Sequence, residues 1–392
     1  MPTIRGWALL GAGLAMGVLW YIFGDPELLL TGLFFLIAGI LATLYVRLHP
    51  PRMGLGRRLG SAVVHNGDTT TVSLILENRS KRTLRHLVVQ DEVEHLGLAT
   101  FEMASLRPGE AATATYRVTC RPRGVYRVGP SVATSSDPLG LAELQAPGSV
   151  IDRIVVYPTV EDLSGFPLVR GQDMAMHASR PEHNQRGGED FYTLREYHRG
   201  DDLRRVHWPS SAKTDELMIR QLETPWQSRA LVLLDVRPSA YESAEAFETA
   251  VSGAASVVTH LVRSGFDADL WAGDAKPIDA TRYAAAMERL ALVEPNQAID
   301  IGAVANRLKQ AGGGGALVLV TGVADRALLG VQQLLSSEYR TTLLMGATSS
   351  TSQTLVGFHR LGVTTVQVAP SEKWATAWLT AMRSSWDAVS AS

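Results

Sequence analysis

Two uncharged apolar runs near the start, Trp7–Phe23 and Leu28–Val46, narrow what this chain can fold into more than any other feature. Each is close to the ~20 residues a helix needs to cross a bilayer. The Gly24-Asp25-Pro26-Glu27 stretch between them is polar and leaves room only for a tight turn. Trp7, Trp20, Tyr21 and Tyr45 sit near the run ends, where interfacial aromatics belong. A cleaved signal peptide is the alternative for the first run, but no small-x-small cleavage site follows and a second run arrives at once. Residues 1–50 are therefore expected to form a transmembrane helical hairpin, with spans near 7–23 and 28–46.

Basic residues orient it. Arg5 precedes the first run; Arg47, Arg52, Arg57 and Arg58 follow the second; the turn has none. Cytoplasmic flanks carry such an excess. Both ends, and everything after about residue 50, are expected on the cytoplasmic side of a multi-pass protein of the cell (inner) membrane. The lipid bilayer is then its first partner.

A chain of 392 residues with 46% hydrophobic content has room for two or three domains with real cores. A formal net charge of −2 argues against a nucleic-acid-binding surface spread over the molecule. The lone Cys120 cannot form an internal disulfide.

From Ser61 to about Pro158 the pattern is strand-like, with β-branched alternation at Thr70–Glu77, Leu87–Glu92 and Ala111–Cys120. Turn signals separate these runs, so residues 60–160 are expected to form an antiparallel β-sandwich-like domain. Nothing in it suggests catalysis, and it reads as a packing and presentation module. Residues 161–228 are expected to connect it to a second domain. Beyond Arg229 the period changes. Apolar strands at Arg229–Asp235, Asp267–Trp271, Ala316–Thr321, Thr341–Gly346 and Thr364–Val368 alternate with helical stretches. That alternation predicts a C-terminal α/β domain over 229–392, a parallel sheet covered on both faces. The glycines at Gly312–Gly315 lie before a strand and lack the GK[ST] ending of a phosphate loop, so they read as a connection.

Between the two domains lies a cassette at Arg195–Glu223 that closely interleaves charges of both signs, in a chain only 19% charged. Its Trp, Tyr, Leu and Ile content argues for a folded surface. Arg195-Glu196-Tyr197, Gly200-Asp201-Asp202, Arg204, Trp208, Ser211-Ala212-Lys213 and the strand Leu217–Glu223 resemble the bacterial domain of unknown function 58 (DUF58) family. The RGVYRVGP run at Arg123–Pro130 and the DPLGL run at Asp137–Leu141 resemble that family's β region. The resemblance covers nearly the whole chain. It implies a β-sandwich-like region joined to a von Willebrand factor A-like (Rossmann-type) α/β domain. It also implies a MoxR-type AAA+ ATPase as partner, with an assembly, remodelling or envelope-linked role. One position departs from the family pattern: His207 stands where an acid usually precedes the tryptophan, which speaks against an acid role there.

The A-like fold commonly carries a metal site after its first strand, Asp-x-Ser-x-Ser with a Thr and an Asp from later loops. Such oxygen ligands suit magnesium. Here the loop reads Asp235-Val236-Arg237-Pro238-Ser239, so Arg237 takes the middle ligand position, and arginine cannot coordinate a cation. Thr321-Gly322 stands where an Asp-Gly is expected, and the nearest acid is Asp325. The degenerate set Asp235, Ser239 and Thr321 has lost at least one ligand. No metal or other cofactor is expected, magnesium being the ion such a set would take. Arg237 could instead pair with Asp235 and hold the loop closed.

In the cassette, Gly200-Asp201-Asp202 reads as a turn leading into a helix at Leu203, with either aspartate as N-cap. Arg195, Glu196, Asp202 and Arg204 are expected to form an ion-pair network locking two domains, with Trp208 buried beneath. A direct partner-binding surface that also uses Tyr197, Gly200, Asp201, His207 and Ala212 is a compatible alternative. Ser210-x-x-Lys213 lacks the companion motifs of a serine nucleophile. His177, His183, His198 and His207 are spaced too irregularly for zinc. The expectation is a non-enzymatic, membrane-anchored, cytoplasm-facing scaffold. The alternatives are a metal-dependent hydrolase or ligand-binding enzyme using Asp235 and the cassette acids, and an extracellular adhesin.

Overall fold

Thr3 starts the first helix, its hydroxyl accepting from Gly6 N at 3.2 Å, and Gly24 ends it at φ +72°, a conformation glycine adopts without strain. The computed structural model describes residues 1–48, 50, 52–148, 150–165, 192–196, 206–214, 217–222, 229–273, 276–310, 314–350 and 352–390. Helices α1 (Ile4–Phe23) and α2 (Pro26–Leu48) are both long and apolar enough to cross a membrane. Only 11% and 22% of their apolar windows are buried. A Cβ on Gly13 or Gly32 would lie 2.9 Å from the other's carbonyl oxygen, so small residues let the two backbones approach.

The chain divides into two compact units, Met1–Thr159 with Met287–Leu292, and Val160–Ala286 with Val293–Ser392. In the first, strand β1 (Met53–Leu59) begins before Ser61, where the alternating pattern becomes legible, and pairs antiparallel with β3 (Thr69–Asn78). With β6 (Ala111–Thr119) these form a three-stranded sheet. Strands β2 (Val63–His65), β4 (Leu84–Val93), β5 (Gly97–Leu106), β7 (Gly124–Val128), β8 (Val132–Ser136), β9 (Glu143–Pro147) and β10 (Asp152–Tyr157) form the second sheet. Pairing is antiparallel apart from β2 with β10. Inward residues of β3 alternate as Val72, Leu74 and Leu76, the period-two rule of a half-buried strand. They meet Leu87, Val89, Val93, Val128 and Ile154 of the other sheet.

Arg57 corrects one expectation. By sequence it is one of the basic residues expected to flank the second apolar run; it lies instead on β1 with its side chain 1% exposed, inside the sandwich. Its Nε donates to Asp91 Oδ2 at 3.1 Å, and Nη2 bonds both Asp91 Oδ1 and Ser131 Oγ, the latter at 2.8 Å. Nη1 donates to Asp152 Oδ2 at 3.0 Å and to the Val128 carbonyl at 2.9 Å. Tyr116 Oη donates to Asp91 Oδ2 at 2.6 Å. A buried charge survives only when paired and hydrogen-bonded, and this one is.

In the second unit, β11 (Tyr192–Glu196) and β12 (Met218–Leu222) form a hairpin pair, with α3 (Trp208–Thr214) between them in sequence. The main sheet has the order β15-β14-β13-β16-β17-β18. Its strands are β13 (Arg229–Leu234), β14 (Asp267–Ala272), β15 (Ile278–Asp279), β16 (Gly314–Thr321), β17 (Tyr339–Ala347) and β18 (Thr364–Val368). All pair in parallel except the edge strand β15. The helices are α4 (Ala244–Arg263), α5 (Tyr283–Leu292), α6 (Ile301–Gln310), α7 (Arg326–Leu335), α8 (Thr354–Arg360) and α9 (Trp374–Ser390). Leu231, Leu233, Leu317 and Leu319 pack on Ile301, Val304, Leu328 and Phe358 from α6, α7 and α8. Alternate residues Val232 and Leu234 are buried on the opposite face, where α4 lies against the strands. Trp374 and Trp378 anchor α9, donating to the carbonyls of Thr249 at 2.8 Å and Gly165 at 3.1 Å. Gly314 and Gly315 open β16, so they lead into a strand; residues 311–313 lie outside the described residues.

Candidate functional site

The neighbours of β13 in the sheet are β14 on one side and β16 on the other, so the chain reverses direction of progress there. In open α/β sheets ligands bind beyond the carboxyl ends of strands at such a switch point. Asp235 immediately follows β13 and is fully buried; Thr321 ends β16, its Oγ1 donating to Asp235 Oδ2 at 3.2 Å.

The loop after β13 is pinned from several directions. Asn296 N donates to the Val236 carbonyl and Val323 N to that of Ala240, both at 2.7 Å, and Tyr241 Oη donates to the Asp235 carbonyl. Gly322 is needed here for space: a Cβ on it would lie 2.2 Å from the Ala240 carbonyl oxygen. That explains why Thr321 is followed by glycine.

Arg237 fills the centre. Its Nε and Nη2 bind Asp235 Oδ1 and Oδ2 at 3.0 and 2.7 Å, and its Nη1 and Nη2 bind Asp325 Oδ2 and Oδ1 at 2.9 and 3.1 Å. Both oxygens of each carboxylate thus accept from one guanidinium, whose planar fork suits bidentate pairing. Asp325 is fixed in turn as N-cap of α7, accepting from Leu328 N at 2.8 Å. Burial pushes the Arg237 pKa down, but the bonds from Asp235 and Asp325 outweigh it and hold it above its ordinary value. Burial likewise raises that of Asp325, and Arg237 with the Leu328 N–H overcomes this, leaving the carboxyl below 3.8. Burial, with Asp235 nearby, pushes the Tyr241 hydroxyl well above 10.0.

Of the expected metal positions, the structure brings Asp235 and Thr321 together, while Ser239 is exposed on a 3-10 turn at Pro238–Ala240. These residues do not fit a divalent ion, because the arginine side chain already takes every carboxylate oxygen that would ligate one. The chemistry available is that of a closed ionic clamp between two loops. Sequence reasoning named Asp325 only as the nearest acid; its position before α7 was the legible signal.

The cassette divides differently. Tyr197, Gly200, Asp201, Asp202 and Arg204 lie outside the described residues, as do His177, His183 and His198. Arg195 and Glu196 lie on β11, opposite Ile219 and Met218. The helix start expected at Leu203 lies outside the described residues; the helix described in the cassette, α3, begins at Trp208, with Val206 buried before it. Trp208 overturns an expectation: it is 68% exposed, not buried. His207 opens the helix, its Nδ1 lying 2.8 Å from Ser210 Oγ and its carbonyl accepting from Ser211 N at 3.0 Å. Ser211 is buried and accepts from Met218 N at 2.8 Å, tying α3 to β12, while Ala212 and Lys213 face solvent.

Residues 193–319 match the family described as protein of unknown function DUF58, a span that takes in the cassette, Asp235 and Arg237. The uncharacterized protein YeaD of Bacillus subtilis is 29% identical over 245 residues, covering 60% of this chain. The match takes in 59% of that relative, less than two thirds of its length. Among solved structures, the CARDB domain of a Pyrococcus furiosus protein in complex with di-metal ions is 20% identical with a TM-score of 0.21, covering 27% of this chain and 88% of that one. A β-glucosidase from Erythrobacter marinus is 14% identical with a TM-score of 0.19, covering 27% of this chain and 15% of that one. Scores so low carry nothing over from either protein.

Proposed function

We propose that this chain is a membrane-anchored, non-enzymatic scaffold whose α/β unit, a degenerate von Willebrand factor A-like domain, docks a protein partner. The observation that carries the reading is the Arg237 guanidinium held between Asp235 and Asp325. A side chain of this protein supplies the positive charge at the switch point, so the two loops are organised without an added ion. Such a rigid surface suits recognition.

The exposed Trp208 supports a docking role for the cassette, since aromatic anchors dominate interface energetics. A MoxR-type AAA+ ATPase is the partner that the family resemblance implies. The outward apolar faces of α1 and α2 support anchoring in the cell membrane. Arg5, Arg47, Arg52 and Arg58 flank the hairpin on one side, which supports a cytoplasmic body.

Calorimetric titration of the full chain in detergent with magnesium and manganese tests the central claim. Micromolar binding abolished by Asp235→Ala would overturn it in favour of a metal-dependent enzyme. Protease treatment of intact cells tests orientation, because a body outside the membrane would be cleaved. Pull-down from native membranes, read by mass spectrometry, tests the partner.

A further inference from the structure

The DPLGL run at Asp137–Leu141 plays no part in the α/β site, yet it is built with unusual care. Asp137 is buried, and its carboxylate accepts from Leu139 N at 2.8 Å and Ala142 N at 2.6 Å. Gly140 N donates to the Asp137 carbonyl, and Asp137 N to that of Ala142, both at 3.0 Å. The carbonyls of Gly140 and Leu141 accept from Thr3 Oγ1 at 2.7 Å and Thr3 N at 2.9 Å. Thr3 precedes α1, so the turn is stitched to the start of the hairpin. Gly6 makes room for it: a Cβ there would lie 2.0 Å from the Leu141 carbonyl oxygen. Ala142 packs against Ala42 and Val46 of α2.

One side chain points away from all this. Leu139 is 69% exposed. With Pro138 it lines an open apolar groove of about 640 Å³ along α2, walled by Phe34, Ile37, Leu41 and Leu48.

We propose that this groove holds the acyl chain of a membrane phospholipid and that Leu139 seats in the lipid, a reading that rests on α1 and α2 being membrane spans. Helix rise places Leu48 ~30 Å along α2 from Leu28, the thickness of a hydrocarbon core. The groove therefore lies at the depth of acyl chains, continuous with the outward face of α2. Irregular backbone is tolerated near hydrocarbon only when its polar groups are paired, which is what Asp137 and Thr3 accomplish. Arg5, Arg47 and Arg52, all exposed at that end, suit the headgroups.

Reconstitution of the full chain in phosphatidylcholine–phosphatidylglycerol vesicles tests this. Cys120 is replaced by Ala in every variant, and a polarity-sensitive fluorophore is attached at Leu139→Cys, at Leu33→Cys on α2, or at Leu98→Cys. Leu98 lies on the β4–β5 hairpin, at the opposite end of β4 from the strands leading into Asp137. Phosphatidylcholine with a nitroxide on the upper acyl chain should quench the Leu139 and Leu33 labels several-fold more than the Leu98 label. A Leu139 label that behaves like Leu98 while Leu33 is quenched would overturn the groove proposal alone. No quenching at Leu33 would remove the span reading and this proposal with it. In native mass spectrometry, Leu139→Asp should lose phospholipid retained by the parent chain; equal retention would also overturn it.

Discussion

Arg57 and Asp91 face each other between the two sheets of the β-sandwich, Nε lying 3.1 Å from Oδ2, with neither side chain reaching solvent. They come from β1 and β4, 34 positions apart in sequence. Tyr116, Ser131 and Asp152 complete the set, so the pair is satisfied at almost every donor. Such a cluster fixes how one sheet registers on the other. Asp91→Ala should destabilise the protein by ~3–5 kcal/mol, because it strands a buried guanidinium. The double variant Arg57→Met, Asp91→Leu should cost less than the two singles added together, with a coupling of ~0.5–3 kcal/mol. Urea denaturation of all the variants checks this.

The clamp in the α/β unit makes a parallel prediction. Arg237→Ala leaves Asp235 buried without a counter-charge and should also cost ~3–5 kcal/mol. Arg237→Lys should recover only part of that, since an ammonium cannot grip two carboxylates in fork geometry. Denaturant midpoints for the two variants, compared with the parent, decide it.

Asp325 sets an acid limit. Its carboxyl titrates lower in the folded protein than its ordinary 3.8. Its ionised form therefore adds stability above that value, and the contribution is lost as pH falls through the folded value. Asp325→Asn should flatten the decline in stability below pH ~4. Half-exposure keeps the effect modest. Thermal melts across that range would show parallel curves for parent and variant if Asp325 had no part in it.

Gly322→Ala should destabilise the α/β unit by ~1–3 kcal/mol, the range for forcing a methyl into a packed site. The obstacle is backbone, the Ala240 carbonyl 2.2 Å from the new Cβ, so the loop carrying Arg237 must shift. Gly330→Ala, with nothing within 4 Å of its Cβ, is the control and should be neutral or stabilising.

Trp208→Ala should change stability by no more than ~0.5 kcal/mol, as for other exposed positions. Recovery of a bound partner from native membranes should nevertheless fall. Asp202→Ala and Arg204→Ala are expected to weaken partner co-purification in the same way, leaving the protein in the membrane. Unchanged recovery with all three variants would remove the cassette from the partner surface.

The sequence by itself determined whatever repeats with a local period. Apolar runs marked α1 and α2, alternation marked β3 and β6, and unbroken apolar stretches marked the parallel strands β13, β16 and β17. It also placed Arg237 within reach of Asp235, two positions along the same loop. Tertiary structure decided whatever depends on which strands become neighbours. Arg57 looks in sequence like one more basic residue after an apolar run, and only the pairing of β1 with β3 buries it opposite Asp91. Asp325 is remote from Asp235 along the chain, and the parallel pairing of β13 with β16 brings the two loops together. The exposure of Trp208 is not legible for the same reason: an aromatic side chain carries no label for burial, and its exposure depends on how α3 leans on β12. Local propensity is written in adjacent residues, whereas the partner of a charge or a ring is chosen by the fold.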